Sequence, residues 1–337
     1  MQRHRFASLE TLTVVTALAA IAVTPLAAQT RSATKAPIAT TIPRTAWGAP
    51  DLTGIWTGNT MTPLERRAEH AGKQFLTKDE IAAIEKEQAV TALEDTAPAA
   101  GDPGTYNNIW TDPAYRWVPD RRTSLIVDPA DGRIPYTQKG RDIQAYVRAQ
   151  RGNGPYNTAA DMDTGERCLT DGLPIYFSGY NNNYQIFQTK DHVAILHEYF
   201  HETRIVPLDG RPGGTTPQWL GNSRGHWEGD TLVVETDGIA EKGQYIWAAA
   251  WRGSRATARL VERFTRTADS IEYSFTLEDP TMFTRPWTAK WPLSRQSEIG
   301  VTQGPLYEYA CHEGNHAMRG VLAGARLQEK EAAAAKR

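Results

Sequence analysis

Two short segments of this sequence place histidine and glutamate at a spacing that can bind a metal ion. Residues His197 to His201 and His312 to His316 both match the pattern H-E-x-x-H. On a helix, histidines four positions apart share one face about 6 Å apart, and the glutamate between them can act as a base. Zinc-protease chemistry is therefore the first hypothesis to weigh.

The residues around both segments argue against a helix that carries the whole pattern. The flanks Val193–Leu196 and Thr203–Val206 look like strands, and positions i and i+4 of a strand are about 13 Å apart. The second segment contains Gly314 and Asn315, which are poor helix formers, and Asn315 looks like a helix cap. A zinc or copper site that takes one histidine from each segment stays open. The candidate ligands are His197, His201, His312 and His316, but no metal or other cofactor is favoured.

A strand through the first segment gives Glu198 an unusual setting. Glu198 would share a face with Ala194, Leu196 and Phe200. Burial without a partner would raise the pKa of its carboxyl group and suit it to general acid or base catalysis. Arg204 is the nearby candidate partner, and a purely structural ion pair between the two is the alternative.

Polar residues also gather where the preceding strand should begin. The run Asn181-Asn182-Asn183-Tyr184-Gln185 offers donors and acceptors at a strand mouth, where binding sites often lie. The alternative is a turn in which asparagine takes the left-handed backbone conformation.

These observations define two predicted sets of site residues. The predicted catalytic set is Glu198, His201, Arg204, Tyr184 and His312. The predicted substrate-binding set is Asn181, Asn182, Asn183, Gln185 and Trp56.

The N-terminus predicts export. Arg3 and Arg5 precede an uncharged apolar run from Leu12 to Val23, and small residues follow up to Ala28. This order is typical of a secretory signal peptide over 1–28, and a run of this length is shorter than the ~20 residues that a membrane span needs. We expect a periplasmic or secreted location, with no membrane span after cleavage of the signal peptide.

Export bears on the two cysteines. Cys168 and Cys311 can form only one bridge, and an oxidising compartment favours it over two free thiols. Such a bridge would bring His312 towards the asparagine-rich run.

Local patterns predict the elements that must position these residues. The capping box from Thr77 to Glu80 predicts a helix over about 78–93, and further helices are expected over 138–150 and 316–330, the last packed on the sheet. Strands are expected near the segments 51–56, 124–128, 183–189, 193–200, 231–236, 258–266 and 271–277.

Successive strands with short turns predict a mainly β fold, an antiparallel barrel or sandwich with a few peripheral helices. A lipocalin-like barrel is one form of it, because Gly54-Ile55-Trp56 matches the Gly-x-Trp of a first lipocalin strand. We expect a flexible leader over 29–45, one β-rich domain over 46–330 and a polar tail over 331–337.

Composition narrows the partners. The chain has 37 basic and 39 acidic residues and a net charge of −2, so it has no basic stripe for nucleic acid. Neither a phosphate loop nor a G-x-S-x-G motif is present. A small-molecule substrate or ligand is the expected partner, and the sequence does not define the oligomeric state.

Several longer segments together resemble a large family of exported bacterial proteins that are mostly uncharacterised. The segments are PDLTGIW from Pro50, RTSLIVDP from Arg122, NNNYQI from Asn181, RIVPLDGR from Arg204, WEGDTLVVET from Trp227 and ACHEGN from Ala310. They span most of the mature chain. The resemblance implies a single shared domain and no particular reaction.

Three functional hypotheses follow. The first is a cofactor-independent lyase or hydrolase that uses acid–base chemistry on a small organic or sugar-derived substrate. The second is an exported binding protein for an apolar or aromatic small molecule, and the third is a histidine-based metalloenzyme.

Overall fold

Strands with alternating inward and outward side chains form most of the molecule. The computed structural model describes residues 41–91, 116–150, 154–176, 180–240, 250–254, 257–295 and 305–336. Within them, the strands are β1 Gly54–Thr57, β2 Ile126–Asp128, β3 Asn183–Gln188, β4 His192–His197, β5 Glu202–Pro207, β6 Asn222–Glu228, β7 Thr231–Asp237, β8 Arg259–Arg266, β9 Ile271–Glu278 and β10 Trp287–Arg295. The α-helices are α1 Lys78–Thr91, α2 Gln138–Gln150 and α3 Ala317–Ala334.

Nine of these strands form one antiparallel sheet that curls into a nearly closed barrel. Their order is β5-β4-β3-β1-β10-β9-β8-β7-β6, and the short β2 pairs with β10. The end strands β5 and β6 pack side by side at Gly225, where a Cβ atom would lie 2.8 Å from Val206 Cγ1 and 2.7 Å from Leu208 Cδ2. The predicted mainly β antiparallel barrel is confirmed, with one strand more than the eight of a lipocalin.

The core lies inside the barrel, as the period of two along the strands requires. The inward residues of β9 and β10 are Ile271, Tyr273, Phe275, Leu277, Trp287, Ala289, Trp291 and Leu293, and all are buried. Trp56 of β1 joins them, with the guanidinium carbons of Arg266 and Arg295 at 5.1 and 4.4 Å from its ring. Its Nε1–H donates to the carbonyl of Leu52 at 2.8 Å. Trp56 is thus a core residue.

The helices agree with the sequence where the signal is local. The capping box before α1 is present, because the Glu80 amide donates to Thr77 Oγ1 and the Thr77 amide donates to Glu80 Oε2. The prediction of α2 is confirmed at both ends.

The prediction that α3 packs on the sheet is wrong, since none of its residues is buried. Arg326 instead donates to the carbonyls of Tyr156 and Asn157. The helix also continues to Ala334, through part of the predicted polar tail.

Some predictions fall outside the described residues. They concern the signal peptide, the leader up to residue 40 and the end of the first predicted helix beyond Thr91. In the part of the chain that is described, no helix combines the length and apolar character needed to cross a bilayer.

Candidate functional site

A cleft of about 570 Å³ opens where four stretches of chain meet. The stretches are the loop around residues 162–166, the segment at Tyr180 before β3, the turn after β4 and the C-terminal residues 308–321. The described lining residues are Met162, Asp163, Gly165, Glu166, Tyr180, Tyr199, Phe200, Glu308, Tyr309, Ala310, Cys311, Glu313, Asn315, Ala317 and Val321. This volume is in the range of sites for small organic molecules.

Aromatic rings form one continuous wall of the cleft. The Tyr199 ring centroid lies 5.5 Å from that of Tyr180, 4.6 Å from that of Phe200 and 4.9 Å from that of Tyr309. Phe200 and Tyr309 are 5.2 Å apart. Most of these pairs meet edge to face, the arrangement that ring quadrupoles favour.

The turn between β4 and β5 presents two of these rings. The predicted strand through Phe200 is wrong in its last residues, because β4 ends at His197 and Glu198 is already helical. Phe200 and His201 then reverse the chain with φ of 62° and 50°. The reversal points Tyr199 and Phe200 at the cleft, whereas the His201 side chain is exposed.

Strained backbone is concentrated around the cleft. Besides Phe200 and His201, Cys168 and Asn181 have positive φ, of 53° and 54°. Within the described residues, Arg121 is the only other non-glycine residue of this kind. Such conformations cost about 1–3 kcal/mol each and collect at functional sites.

Glu198 anchors the cleft and does not line it. Its side chain is 1% exposed, and its carboxylate accepts the Tyr307 amide at 2.8 Å and the Asn183 Nδ2 at 2.6 Å. It therefore fastens the C-terminal segment to the start of β3. Its burial was anticipated, but the burying elements are the C-terminal segment and β3, not a strand face of the core.

Arg204 is not the partner of Glu198, contrary to the suggestion from the sequence. It lies on the inward face of β5 and forms a bidentate ion pair with Glu262 of β8. Tyr273 completes this buried group by donating to Glu262 Oε1 at 2.7 Å. Arg204 is thus paired inside the barrel, whereas Glu198 binds Asn183 and Tyr307.

The asparagine-rich run supports the cleft from behind. Asn181 takes the left-handed conformation, and its carbonyl accepts the Tyr199 amide at 3.1 Å. Asn182 and Asn183 are buried, and Gln185 belongs to the outward face of β3. None of these predicted binding residues is among the described lining residues.

The predicted disulfide is confirmed, and it forms one edge of the cleft. Cys168 and Cys311 are bonded, with Cα atoms 5.6 Å apart. Asn315 Nδ2 donates to the Glu166 carbonyl at 3.2 Å and reinforces the link. The side chains of His312 and His316 are exposed and do not line the cleft.

The first H-E-x-x-H segment is divided between two environments. His197 points into the barrel and is buried, while His201 is exposed at the turn. No group of three or more His, Cys, Asp or Glu side chains in the described ranges could hold a metal ion.

A buried polar cluster lies inside the barrel behind this turn. Tyr184, His197 and Glu202 occupy one row across β3, β4 and β5. The His197 ring stacks on Tyr184, with centroids 4.2 Å apart. Glu202 accepts Thr170 Oγ1 at 2.6 Å and the Asp171 amide at 3.1 Å.

Burial perturbs the protonation of this cluster. It raises the pKa of Glu202 to about 7 and lowers that of His197 to about 3, the latter helped by the charge of Arg252. Burial also raises the pKa of Asp171, which Arg252 partly offsets at 3.4 Å. Among the described residues, His197 Nε2 has no hydrogen-bond partner, and the adjoining void of about 20 Å³ has room for one water. The His197 ring is 6.0 Å from Tyr199 of the cleft.

The sequence did not predict a ligand-binding role for the side chains that line the cleft. Among them, Cys311, Glu313 and Asn315 were noted for other reasons: the disulfide, the second H-E-x-x-H segment and a helix cap. Glu202 was also missed, although it has the same inward parity as Arg204. In a strand over Glu202–Pro207, the period of two places Glu202 on the same face as Arg204, so the sequence could have identified it.

Searches of protein-family models, curated proteins and solved structures give no match for this chain. Its function must be inferred from the cleft and the buried polar cluster.

Proposed function

We propose that the protein binds a small organic molecule with an apolar or aromatic part in the cleft. The observation that carries this proposal is that strained backbone and a cleft of suitable shape occur at the same place. Four residues with strained backbone lie in or beside the segments that line a space of about 570 Å³ with an aromatic wall. Strain that a fold retains at one place is a pointer to function there.

The construction of the cleft supports tight binding. The disulfide, the Glu198 hydrogen bonds and the Asn181 carbonyl hold its four stretches together before any ligand arrives. A preorganised site loses less conformational entropy on binding than a mobile one. The half-buried rings of Phe200 and Tyr309 offer apolar surface at a small entropy cost, and the buried Tyr199 ring supports them.

The test is to fill the cleft. Ala317 lines it at the start of α3, while Ala323 is exposed on the same helix and does not. We expect Ala317→Trp to abolish binding of monocyclic aromatic fragments in ligand-observed NMR, and Ala323→Trp to retain it. Native mass spectrometry of protein from exporting cells should show a copurified ligand in the wild type and in Ala323→Trp, but not in Ala317→Trp. Equal binding by both variants, or by neither variant nor wild type, would overturn the proposal.

An acid–base enzyme is the second candidate, and the buried polar cluster favours it. A carboxyl group with a pKa of about 7 is suited to take a proton from water near neutral pH. In an ester hydrolase, Glu202 would accept that proton while the water oxygen attacks the substrate carbonyl. The bond from the acyl carbon to the leaving oxygen would then break, and Glu202 would return the proton as the alcohol or phenol departs.

This candidate is tested with p-nitrophenyl acetate as the probe. We expect Glu202→Gln to remove any turnover above background, and the exposed Glu278→Gln on β9 to leave it unchanged. An absent rate in the wild type, or a rate that survives in Glu202→Gln, would remove this candidate.

We also infer that the chain is exported. The Cys168–Cys311 disulfide supports this, because such bonds persist in oxidising compartments. Mass spectrometry of the exported chain should find a mature N-terminus near Gln29. A chain that stays intact in the cytoplasm would contradict the inference.

A further inference from the structure

We infer that the molecule held in the cleft is an organic cation, an ammonium ion attached to an apolar or aromatic group. This inference rests on the proposed binding function and narrows it to one ligand class. Two independent features of the lining lead to it, namely the charge of its side chains and the nature of its wall.

The charge of the lining has one sign. Four described lining residues are acidic: Asp163, Glu166, Glu308 and Glu313. No described lining residue is Lys, Arg or His. An anionic ligand would meet repulsion from every charged side chain, whereas a cation would meet attraction from each.

The acidic side chains differ in how far they are already engaged. Asp163 Oδ1 accepts the amides of Gly165 and Glu166 at 2.8 Å, and Glu166 Oε2 accepts the Asp163 amide at 3.0 Å. The carboxylates of Glu308 and Glu313 have no partner among the described residues. These two are therefore the free counter-charges for a bound cation.

The arginine next to the acidic loop forms no described ion pair with either of them. Arg167 follows the acidic loop in sequence, and its Nε donates to the Asp163 carbonyl at 3.3 Å. Its side chain is not among the described residues of the lining. It contributes to loop structure and, within the described part of the chain, leaves Glu308 and Glu313 without an ion pair.

The wall of the cleft selects an organic cation over a hydrated metal ion. The faces of Tyr and Phe rings attract ammonium groups electrostatically, and the same rings bury the apolar part of the ligand. Tyr180, Tyr199, Phe200 and Tyr309 supply these rings on one side of the cleft. A small metal ion would need several converging oxygen or nitrogen ligands, and the described residues form no such group.

The experiment compares three monocyclic probes of different charge by isothermal titration calorimetry at low salt. The probes are benzyltrimethylammonium, benzyl alcohol and phenylacetate. We expect the cation to bind about tenfold or more tightly than the neutral probe, with phenylacetate weakest. Raising the ionic strength to about 0.5 M should weaken cation binding, because salt screens these partly exposed charges.

Charge-removing variants assign the effect to the cleft. Glu308→Gln combined with Glu313→Gln should weaken benzyltrimethylammonium binding by about tenfold and leave benzyl alcohol unchanged. The matched control, Glu278→Gln combined with Glu331→Gln, removes the same charge from exposed sites outside the cleft and should change neither. Circular dichroism verifies that both variants fold.

The outcomes separate this inference from the proposed function. Cation selectivity that depends on Glu308 and Glu313 supports both. A second outcome is that benzyl alcohol or phenylacetate binds as tightly as the cation and loses this binding in Ala317→Trp. That outcome overturns the inference of a cationic ligand and leaves the proposed binding function standing. Failure of all three probes and of the wider fragment set overturns both.

Discussion

Phe200 and His201 hold a left-handed backbone that side chains other than glycine rarely adopt. The sequence Tyr199-Phe200-His201 has none of the Gly, Pro, Asn or Asp residues that announce a turn, which is why a continuous strand was predicted there. The turn that this strained pair forms places the Tyr199 and Phe200 side chains at the cleft, at a cost in backbone energy. His201 has a backbone role in this arrangement, and its imidazole faces solvent.

A pair of substitutions at His201 tests that role. His201→Gly removes the Cβ clash of the left-handed conformation and should raise the free energy of unfolding by about 1 kcal/mol, while His201→Val should lower it by about 1–2 kcal/mol. Urea unfolding measures both. Fragment binding should be the same in His201→Gly and wild type. If His201→Gly is as stable as the wild type but shows no binding or turnover, the His201 imidazole has a functional role after all.

The protonation of Glu202 should appear in the pH dependence of stability. Its pKa is about 7 in the folded chain against an ordinary 4.5, so folding loses stability as pH rises from about 4.5 to 7 and does not regain it above. Glu202→Gln should therefore raise the free energy of unfolding by about 1–3 kcal/mol at pH 8, and by less at pH 5. Urea titrations at the two pH values measure the difference. A gain that is equal at both would contradict the raised pKa.

His197 should control how stability changes with pH on the acidic side. Its pKa of about 3 lies below the ordinary 6.5, so stability is complete above about 6.5 and is lost as pH falls towards 3. His197→Phe keeps a ring against Tyr184 and removes the titrating group. Its stability should fall less between pH 7 and pH 4 than that of the wild type. Equal losses of stability in the two proteins would show that folding does not lower the pKa of His197.

Among the elements, the C-terminal segment depends most on a single side chain. Glu198, in the turn after β4, holds Tyr307 and Asn183 together across more than a hundred residues of sequence. Both described contacts are donors to the carboxylate. An isosteric amide can accept from only one of them and turns its own NH₂ group towards the other.

Glu198→Gln should therefore affect structure before it affects chemistry. We expect it to lower the free energy of unfolding by about 1–3 kcal/mol, because one buried donor loses its acceptor. Hydrogen exchange should accelerate in residues 305–311 more than in the barrel strands. The exposed Glu308→Gln is the control and should leave stability unchanged. A Glu198→Gln variant as stable as wild type, with unaltered exchange, would refute the anchoring role.

Elements whose signal is local could be predicted, and elements defined by distant contacts could not. The box at Thr77 fixes the start of α1, and the alternation of Ile271 to Leu277 reveals β9 together with its partner β8. Strand β10 was missed, because Pro292 interrupts a segment that otherwise alternates. The cleft was missed for another reason. Its aromatic wall assembles residues around 180, 199 and 309, and no spacing rule connects them.

At the scale of the whole molecule, one covalent bond joins the two most distant parts of the cleft. The disulfide links the loop that carries Asp163 and Glu166 to the segment that carries Glu308 and Glu313. Its pairing followed from the count of two cysteines alone. The sequence could not show that the bond would serve a cleft instead of delivering His312 to the predicted catalytic set.

Loss of this bond should weaken both the fold and the cleft. Cys168 and Cys311 are separated by 143 positions. In the chain-entropy model, closing a loop of that length raises the free energy of the unfolded chain by about 5 kcal/mol. We expect Cys168→Ser combined with Cys311→Ser to lower the melting temperature by several degrees. Affinity for benzyltrimethylammonium should fall with it.

The readout that separates these effects is hydrogen exchange well below the melting temperature. Residues 163–168 and 308–315 should exchange faster in the double variant, while β8 and β9 keep their protection, because the barrel ladder does not include the bond. A reducing agent added to the wild type should reproduce the change and should have no effect on the double variant. If the barrel strands lose protection together with the cleft, the disulfide stabilises the whole fold and has no particular role in holding the cleft. Unchanged exchange in both regions would show that Glu198 and Asn315 suffice to keep the C-terminal segment in place.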